Sequence, residues 1–541
     1  MARPNATTHG LRSATASRVA GSENEKPRIP SDPRASPAGS EIRVRERAAA
    51  APGAPADAAP SPPLAVTDSI AIALLASLMI NGNGSGRVIE DLRALARAAA
   101  PGDRLPSVRE LMARHRASPV TVQRAIAVLA AEGVVEPRPG RGTFATTRTG
   151  GLAPAPDLSW QAVALGERAV DESALQELMA LPRDGAIPLS SGYLQFELRP
   201  TAAVGAALAR AARRADAWER GPVEGREELR AWFARQAGGA LRAYDMVVCP
   251  GGQAALSTAF RALTRPGDPV LVESPTYVGA IIAARAAGLR VVPVPSDAGG
   301  VRPEHLAAVL RRTGARVFFS QPLYANPNGA TLDAQRRFAV LDAVADAGAF
   351  LIEDDWSRDL AIDGDPPPPL AADDRDGHVI YVRSLTKSGA PGLRVAAVGA
   401  RGAAGARLRG ARIVDDFFVS GPLQEAALEI VSSPAWRRHR RRLRTELRLR
   451  RDALAAALAR HLPQLEVTSI PAGGLHLWVA LPEGTDDVAL ASAAAAEGVV
   501  VFPGRPWFPA EPPGAFLRLT FAAAPPDALD EGVRRLARVL R

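Results

Sequence analysis

Short apolar runs rich in β-branched residues alternate with helix-length Ala- and Leu-rich stretches over most of the chain. The runs read MVVCP, PVLVES, RVVPVP, RVFFS, FLIED and HVIYVRS. Apolar strands separated by helices are typical of a parallel sheet whose faces are covered by the connecting helices. The pattern therefore predicts an α/β fold over residues 186–541, with a mostly parallel sheet covered by helices and a smaller C-terminal α+β part.

Residues 87–148 show a different pattern, which predicts three helices followed by a two-stranded hairpin. Ser107 stands before an apolar-periodic stretch and Glu110 follows three residues later, as in a capping box. Ser118 is an N-cap for the next helix, and Pro119 occupies a first-turn position where a missing N–H costs nothing. This order of elements is that of a winged helix-turn-helix domain, whose recognition helix enters the major groove of DNA.

The strands of the hairpin are predicted around Val134–Pro137 and Thr143–Thr146, on either side of the turn RPGRG. In the helix before them the apolar residues face inward at helical spacing. Three polar residues are then free to face a groove: Thr121, Gln123 and Arg124. Arginine exceeds acidic residues in this part of the chain, which is the sign of charge that neutralises phosphates.

Three segments lie outside the two predicted domains. Residues 1–65 are rich in Ala, Pro, Ser and Arg and are expected to be a disordered tail. Residues 66–86 begin apolar and end in the flexible stretch NGNGSG, and no role is assigned to them. Residues 149–185, which begin TGGLAPAP, are predicted to link the two domains.

Composition excludes several classes of protein. The single cysteine, Cys249, rules out an internal disulfide and a cysteine-built zinc site, and no spacing of histidines with carboxylates suggests a metal. No apolar run is long enough to cross a bilayer, so a cytoplasmic protein is expected. A net charge of +9 and a pI near 10.5 are compatible with a nucleic-acid partner.

Lysine is rare in this chain, which makes its positions informative. Of 66 basic residues only Lys26 and Lys387 are lysines. A guanidinium stays protonated and cannot form a Schiff base, whereas a desolvated primary amine can. Lys387, which lies in an ordered domain, is therefore predicted to be a reactive amine.

Groups suited to binding an anion surround this lysine. Ser384, Thr386 and Arg394 supply two hydroxyls and a guanidinium, and arginine pairs bidentately with phosphate oxygens. Upstream, the strand, Gly-Gly turn and helix start of VVCPGGQAAL point the backbone N–H groups of Gly252 and Gln253 toward an anion. The stretch LIEDDWS ends a strand with carboxylates, one of which could hold a protonated pyridine nitrogen.

The stretch Pro101–Thr146 resembles the GntR family of winged-helix regulators. The resemblance rests on PGDRLPSVREL, on the Ser-x-x-Thr-Val start of the second helix and on GRGTF in the wing. One departure is Pro119, which stands where the family usually has an arginine that contacts a base or a phosphate. The resemblance and the helix pattern together give the expected DNA contacts as Arg109, Ser118, Thr121, Gln123, Arg124, Gly140 and Arg141.

Residues 186–541 resemble fold type I pyridoxal-phosphate enzymes of the aspartate aminotransferase class. The landmarks PGGQAAL, PGDPVLVESPTYVGA, QPLYANPNGATL, LIEDDWS, SLTKSGAPGLR, SGPLQEAALEI, GGLHLWVAL and FLRLTFA occur in the family's order. The resemblance implies that the catalytic residue Lys387 forms a Schiff base with pyridoxal 5′-phosphate. By the same resemblance Asp354 pairs with the pyridine nitrogen, Asn326 bonds the ring hydroxyl, and Tyr277 stacks on the ring with Trp356 nearby. The resemblance also implies that the phosphate is bound by Gly252, Gln253, Ser384 and Arg394. It implies that Arg518 binds the carboxylate of a substrate or effector.

With both parts in one chain, the sequence is similar to MocR-type regulators. This implies a homodimer on a double-stranded DNA operator. It also implies a cofactor domain that senses a small amine, an amino acid or the vitamer itself, without efficient catalysis. Two departures favour weak catalysis: Trp356 stands where the family commonly has a tyrosine, and Arg220 replaces a tyrosine that in the enzymes reaches the neighbouring subunit's phosphate.

Two other functions remain open. One is a working class I/II aminotransferase with a DNA-binding appendage, which Trp356 and Arg220 disfavour. The other is a DNA-binding protein whose cofactor domain serves only for dimerisation, which the isolated Lys387 disfavours. The basic stretch Trp436–Arg451 is expected to be a solvated helix face, with DNA contact as the alternative, and His476 is expected to pack within a strand.

Overall fold

The structure, a computed structural model, describes residues 85–146, 157–166 and 170–540. The predicted tail 1–65, nearly all of segment 66–86 and the Gly/Pro-rich start of the linker lie outside these residues. The chain divides into two compact units, one ending at Pro156 and the other beginning at Asp157. Among the described helices, none combines the length and the apolar character needed to span a bilayer.

The N-terminal unit has the predicted order of three helices and a hairpin. Its elements are α1 (Ser85–Ala98), α2 (Val108–His115), α3 (Pro119–Ala131), β1 (Val135–Arg138) and β2 (Gly142–Ala145). Ser107 and Glu110 form the predicted capping box of α2, and the Ser118 side chain caps α3 by accepting from the Thr121 N–H. The core is made by fully buried residues from all three helices, among them Leu92, Leu111, Val122 and Leu129.

The hairpin lies one residue away from the predicted strands. Arg138 pairs with Gly142, and the Arg141 N–H donates to the Arg138 carbonyl at 3.0 Å to close the turn. Gly140 and Gly142 have φ angles of 71° and 109°, which glycine adopts most readily. The turn between the strands is therefore shorter than predicted: β1 ends at Arg138 and β2 begins at Gly142, so each strand lies one residue nearer the turn.

The predicted linker contains two short helices, α4 (Ser159–Leu165) and α5 (Ser173–Met179). In α5, Leu175 and Leu178 pack against a cluster of the second unit that includes Trp478. This part of the linker therefore belongs to the larger unit. Its apolar spacing covers a single helical turn, which is too short to register as a periodic pattern in the sequence.

The second unit is built on an eight-stranded sheet. Eight of the unit's strands form this sheet and the others form two smaller sheets. The strands of the unit are β3 (Ile187–Pro188), β4 (Met246–Cys249), β5 (Pro269–Ser274), β6 (Arg290–Asp297), β7 (Gly300–Val301), β8 (Val317–Ser320), β9 (Phe350–Asp354), β10 (Val379–Ser384), β11 (Ala396–Gly399), β12 (Glu466–Val467), β13 (His476–Ala480), β14 (Val499–Val500), β15 (Phe502–Pro503) and β16 (Phe516–Thr520). The order in the large sheet is β4-β11-β10-β9-β8-β5-β6-β7, in which β10, β9, β8, β5 and β6 are successively parallel. The predicted mostly parallel sheet is confirmed.

Helices cover both faces of this sheet, as expected for a parallel sheet with helical crossovers. The helices of the unit after α5 are α6 (Thr201–Ala211), α7 (Glu227–Ala237), α8 (Gly252–Leu263), α9 (Val278–Ala286), α10 (Pro303–Thr313), α11 (Ala334–Asp346), α12 (Leu370–Asp373), α13 (Gly402–Asp416), α14 (Gly421–Ser432), α15 (Pro434–His461), α16 (Asp487–Ala496) and α17 (Pro526–Val539). Leu271 and Phe318 pack with α7, α10, α11 and α14, whereas Val272 and Phe319 pack with α8, α9 and α13. Successive side chains of each strand therefore point to opposite faces of the sheet and contribute to two separate cores.

The C-terminal part is the smaller predicted α+β layer. An antiparallel sheet of order β12-β13-β16-β15 shares a core with α15, α16 and α17, and β3 pairs in parallel with β14. The basic stretch Trp436–Arg451 lies in α15. Its arginines pair in part with acids of the same unit, with Arg444 at 2.9 Å from Asp365 and Arg448 at 2.9 Å from Asp363.

Replacing Ser107 with alanine removes the acceptor of the capping box at the start of α2. We expect Ser107→Ala to lower the free energy of opening this helix by about 1 kcal/mol, because one of its first N–H groups loses its partner. Amide hydrogen exchange of α2 in the full chain measures the change. Ser107→Asp keeps an acceptor at the cap and serves as the control. Equal acceleration of exchange in both variants would contradict the capping role.

Candidate cofactor site and DNA-binding surface

Residues that follow β4, β5, β8, β9 and β10 converge on one cavity of about 1050 Å³. Parallel strands carry the residues at their carboxyl ends to one edge of a sheet, where such folds bind their ligands. The structure brings all the residues that the sequence assigned to the cofactor to this cavity: Gly252, Gln253, Tyr277, Asn326, Asp354, Trp356, Ser384, Lys387 and Arg394.

Lys387 is held just after β10 by a loop from the start of the unit. Its Nζ donates to the Gly192 carbonyl at 2.8 Å and lies 3.8 Å from the ring centroid of Tyr193. Burial lowers the pKa of Lys387 to about 7, with the cations Arg518 and Arg394 lowering it further and Asp354 opposing them. A large share of this amine is therefore neutral near pH 7, as a nucleophile requires.

Asp354 ends β9 with a buried carboxyl group. Gln321 donates to Asp354 Oδ2 from Nε2 at 2.7 Å, and its Oε1 accepts from the Asn326 N–H at 2.9 Å. Burial raises the pKa of Asp354 to about 7, against the hydrogen bond from Gln321. A group that brings a positive charge to Asp354 would offset this cost, and a protonated pyridine nitrogen is such a group.

A cradle for an anion lies at the start of α8. Gly251 has a φ of 105°, and a Cβ there would overlap the guanidinium of Arg394, which donates to the Pro250 carbonyl at 2.9 Å. The N–H groups of Gly252 and Gln253 are in the first turn of the helix, where the backbone provides no acceptors. Ser384 lies beside Gly252, since a Cβ on this glycine would be 3.5 Å from the Ser384 Cβ, and the Ser384 hydroxyl donates to Thr386 Oγ1 at 3.0 Å. A helix N-terminus, an arginine and two hydroxyls fit a phosphate.

Two aromatic side chains form walls of the cavity. Tyr277 begins α9, and its Oη donates to Gln253 Oε1 at 3.1 Å. Trp356 is buried, and its Nε1 has no hydrogen-bond partner in the described parts of the chain. The Trp356 ring lies 6.2 Å from the ring of His476, which packs within β13. Burial holds the pKa of His476 well below its usual value, so this histidine is neutral at pH 7.

Arg518 is a buried cation in β16, with 1% of the residue exposed. It donates to Asn326 Oδ1 at 3.2 Å and to the Ser190 carbonyl, and its guanidinium lies 4.4 Å from the ring centroid of Trp507. Its Nε has no hydrogen-bond partner, and no acidic side chain within the described ranges pairs with it. Burial lowers the pKa of Arg518 to about 9.

Several contacts in the cavity were not found from the sequence. Gln321 connects Asp354 to Asn326, and its place directly after β8 is the one signal that could have indicated it. Gly192 and Tyr193 reach Lys387 from a part of the chain that carries no motif. By resemblance Arg220 stands where the enzymes have a tyrosine that reaches the neighbouring subunit's phosphate; in this chain Arg220 is exposed and does not line the cavity.

The N-terminal unit presents its own candidate surface for DNA. Arg109 is exposed in α2, Gln123 and Arg124 are exposed in α3, and Gly140 and Arg141 form the tip of the hairpin. None of these three arginines forms an ion pair within the described ranges, which leaves their charges available to phosphates. Two further predicted contacts are engaged with each other: the hydroxyls of Ser118 and Thr121 are 2.9 Å apart.

Two family models match the chain. Residues 85–145 match the model of bacterial regulatory proteins of the gntR family. Residues 185–536 match the model of aminotransferase class I and II, which covers more than half of the chain. The two matches fall on the two units that the structure separates.

Similar proteins carry the aminotransferase part with or without the DNA-binding part. The HTH-type transcriptional regulator YdfD of Bacillus subtilis is 27% identical over 81% of this chain and 92% of its own. The 2-aminoadipate transaminase of Thermus thermophilus is 32% identical over 71% of this chain and 98% of its own. The crystal structure of the α-aminoadipate aminotransferase LysN from Thermus thermophilus, complexed with N-(5′-phosphopyridoxyl)-L-leucine, matches with a TM-score of 0.66 at 30% identity, covering 71% of this chain and 98% of its own.

The fold and the cavity define a DNA-binding winged helix joined to a pyridoxal-phosphate-binding domain of the aminotransferase type. The chain belongs to the class I and II aminotransferase family and, with its GntR-family N-terminal domain, has the architecture of the MocR-type transcription regulators. Its cofactor is pyridoxal 5′-phosphate, and its N-terminal domain binds DNA.

The lowered pKa of Lys387 predicts that the free energy of unfolding depends on pH. The lowered pKa of Lys387 means that, between about pH 7 and the ordinary lysine range, the unfolded chain binds a proton that the folded chain does not. The free energy of unfolding of the cofactor-free protein, minus that of Lys387→Met, should therefore rise with pH across this window. Below about pH 7 the difference should stay constant, because the amine is protonated in both the folded and the unfolded chain. Thermal unfolding of both proteins across this range measures the difference. A stability difference that is constant with pH would contradict the burial of a titrating amine.

Proposed function

We propose that this regulator holds pyridoxal 5′-phosphate at Lys387 and senses a small amine, an amino acid or the vitamer itself in the same cavity, with a change in operator binding as the result. The observation that carries the proposal is Arg518, a buried cation without an acidic partner in the described parts of the chain. A buried guanidinium without a counter-ion is costly, and an anion from outside the chain offsets the cost. The carboxylate of an amino acid is such an anion.

The residues of the cavity have separate tasks in this proposal. The cofactor supplies an aldehyde that condenses reversibly with primary amines and a ring that withdraws electrons. Lys387 provides a largely neutral amine, which the Gly192 carbonyl orients. Asp354, fixed by Gln321, would hold a proton on the ring nitrogen. Arg394 and the start of α8 would bind the phosphate.

Sensing requires that the ligand bind one arrangement of the protein more tightly than another, because equal affinity shifts no equilibrium. We further propose that the regulator is a homodimer, which places two winged helices on paired half-sites of an operator. The aminotransferase-like fold is commonly dimeric. Arg220, exposed in the single chain, would then act across the subunit interface.

Transamination is the second candidate function. The similarity to 2-aminoadipate transaminase favours it, as do the largely neutral amine of Lys387, the buried carboxyl group of Asp354 and the nearby buried cation Arg518. Against efficient turnover stands Trp356, whose position the family commonly gives to a tyrosine. Its indole N–H is the only polar group that this side chain offers to the cavity.

Covalent attachment of the cofactor tests the assignment of Lys387. Reduction of the loaded protein with borohydride should fix the cofactor to the peptide that contains Lys387, as peptide mass mapping detects. Lys387→Arg keeps a cation of similar length and should give no fixed cofactor, because a guanidinium does not condense. An adduct on Lys26, or none in the wild-type protein, would overturn the assignment.

Measurement of DNA binding tests the regulatory part of the proposal. Binding of the chain's own upstream DNA should change when cofactor or an amine ligand is added to the wild-type protein, and should not respond in Lys387→Arg. Rapid multiple turnover with a keto-acid acceptor, together with operator binding that ignores cofactor and amines, would favour the aminotransferase instead.

Arg109 is predicted to contact DNA in the N-terminal unit. Arg109→Ala should weaken operator binding and, if the contact is to a phosphate, reduce the slope of log affinity against log salt by about one. Arg97→Ala is the matched control, because it removes the same charge from the exposed end of α1. Gel-shift titrations at several salt concentrations measure both. An equal loss in the two variants would assign the effect to net charge rather than to a contact.

A further inference from the structure

We propose that the segment from Leu175 to Pro182, hereafter the apolar wall, is the side-chain subsite of the cavity, and that the ligand bound beside Lys387 is an α-amino acid with an apolar side chain. The inference deepens the proposed sensing function and rests on it. The wall consists of the end of α5 and the extended residues after it. Its apolar members at the cavity are Leu175, Leu178, Met179, Ala180, Leu181 and Pro182.

One part of the apolar wall is packed against the larger unit, and the other part is exposed at the cavity. Leu175 and Leu178 pack against the cluster of Val278, Ile282 and neighbouring aromatic rings, which fixes α5 on the larger unit. Met179, by contrast, is 54% exposed and lines the cavity, as does Leu181 at 92%. Apolar surface in contact with water is unfavourable, and a ligand that covers it gains free energy in proportion to the area. The structure thus leaves an apolar area that an apolar ligand group would bury.

The wall lies next to the reactive amine. The Tyr193 hydroxyl is 4.0 Å from Met179 Sδ, and the Tyr193 ring centroid is 3.8 Å from Lys387 Nζ. One aromatic ring therefore separates the wall from the lysine amine that an amino ligand would displace from the cofactor. With Arg518 available for a carboxylate, the three groups of an α-amino acid each have a counterpart: amine to the cofactor site, carboxylate to Arg518 and side chain to the wall.

The charges of the cavity favour the same class of ligand. Lys387, Arg394 and Asp354 are used by the cofactor in the proposed function. The other charged residues of the lining, Glu197 and Arg199, lie outside the apolar wall, and Arg199 already donates from Nε to the Leu194 carbonyl at 2.8 Å. A charged ligand side chain against the wall would lose water without gaining a partner.

Spectroscopic titration of the full-length, cofactor-loaded protein tests the subsite without an assay of turnover. L-Leucine, L-glutamate and glycine are the probes, and the change in visible absorbance of the bound cofactor gives an apparent Kd for each. Leucine should bind roughly tenfold or more tightly than glycine, since each buried methylene contributes. Glutamate should bind more weakly than leucine.

A double variant, Met179→Gln with Leu181→Gln, makes the exposed part of the wall polar while leaving the packed base of α5 intact. The ratio of leucine to glycine affinity should fall roughly fivefold or more, and glycine affinity should stay unchanged because glycine has no side chain to contact the wall. Val163→Gln with Leu165→Gln is the matched control: both residues are in α4, 86% and 80% exposed, and neither lines the cavity.

The outcomes separate this inference from the function on which it rests. A preference for glutamate, an unchanged leucine-to-glycine ratio in the double variant, or an equal fall in the control overturns the apolar subsite alone. If no probe alters the spectrum of a protein that carries its cofactor on Lys387, amino-acid sensing and the subsite fail together. Tighter leucine binding that the wall variant selectively weakens supports both.

Discussion

The parallel register of five central strands is the constraint on which the cofactor site depends. Because β10, β9, β8, β5 and β6 run in one direction, the residues that follow them reach the same edge of the sheet. Ile352 of β9 pairs with Ile380 on one side and Phe319 on the other, which fixes the strand that ends at Asp354. A slip by one residue would turn that carboxyl group to the opposite face of the sheet, away from Lys387. The chemistry of the cavity is thus a consequence of strand pairing in the core.

The same convergence leaves the cavity with an excess of positive charge. Lys387, Arg394 and Arg199 line the cavity together with two carboxyl groups, Asp354 and Glu197, and the buried Arg518 is hydrogen-bonded to Asn326 of the lining. Burial moves the pKa of Lys387 and of Arg518 downward. Each of these shifts reflects a charge that the protein alone does not satisfy. Under the proposed function a phosphate and a carboxylate would supply the missing counter-charges, so their binding would offset a free-energy cost that folding imposes. Ligand binding and stability of this unit are therefore linked.

The order of elements and the motif residues could be predicted from the sequence, because strand alternation, capping residues and the neighbours of Lys387 are local features. The contacts that tune the site could not. Tyr193 reaches Lys387, and Gln321 reaches Asp354, only through the folded topology, and no periodic pattern records such distant pairs. The helix α5 was not predicted, for another reason. Its apolar residues cover only one turn, and their role is visible only in the folded structure, where they pack against the cluster that includes Trp478.

The scarcity of lysine has a consequence for how this protein can be controlled. In the described parts of the chain every exposed basic side chain other than histidine is an arginine, and the one lysine there, Lys387, lines the cavity. Acetylation and ubiquitin attachment act on the lysine amine and not on guanidinium groups. Enzymes that mark proteins through surface lysines therefore find no lysine other than Lys387 among residues 85–146, 157–166 and 170–540. Within residues 85–146, 157–166 and 170–540 the one lysine amine is the one that the cofactor would occupy under the proposed function, so a change of metabolite and an acyl mark would compete for the same atom.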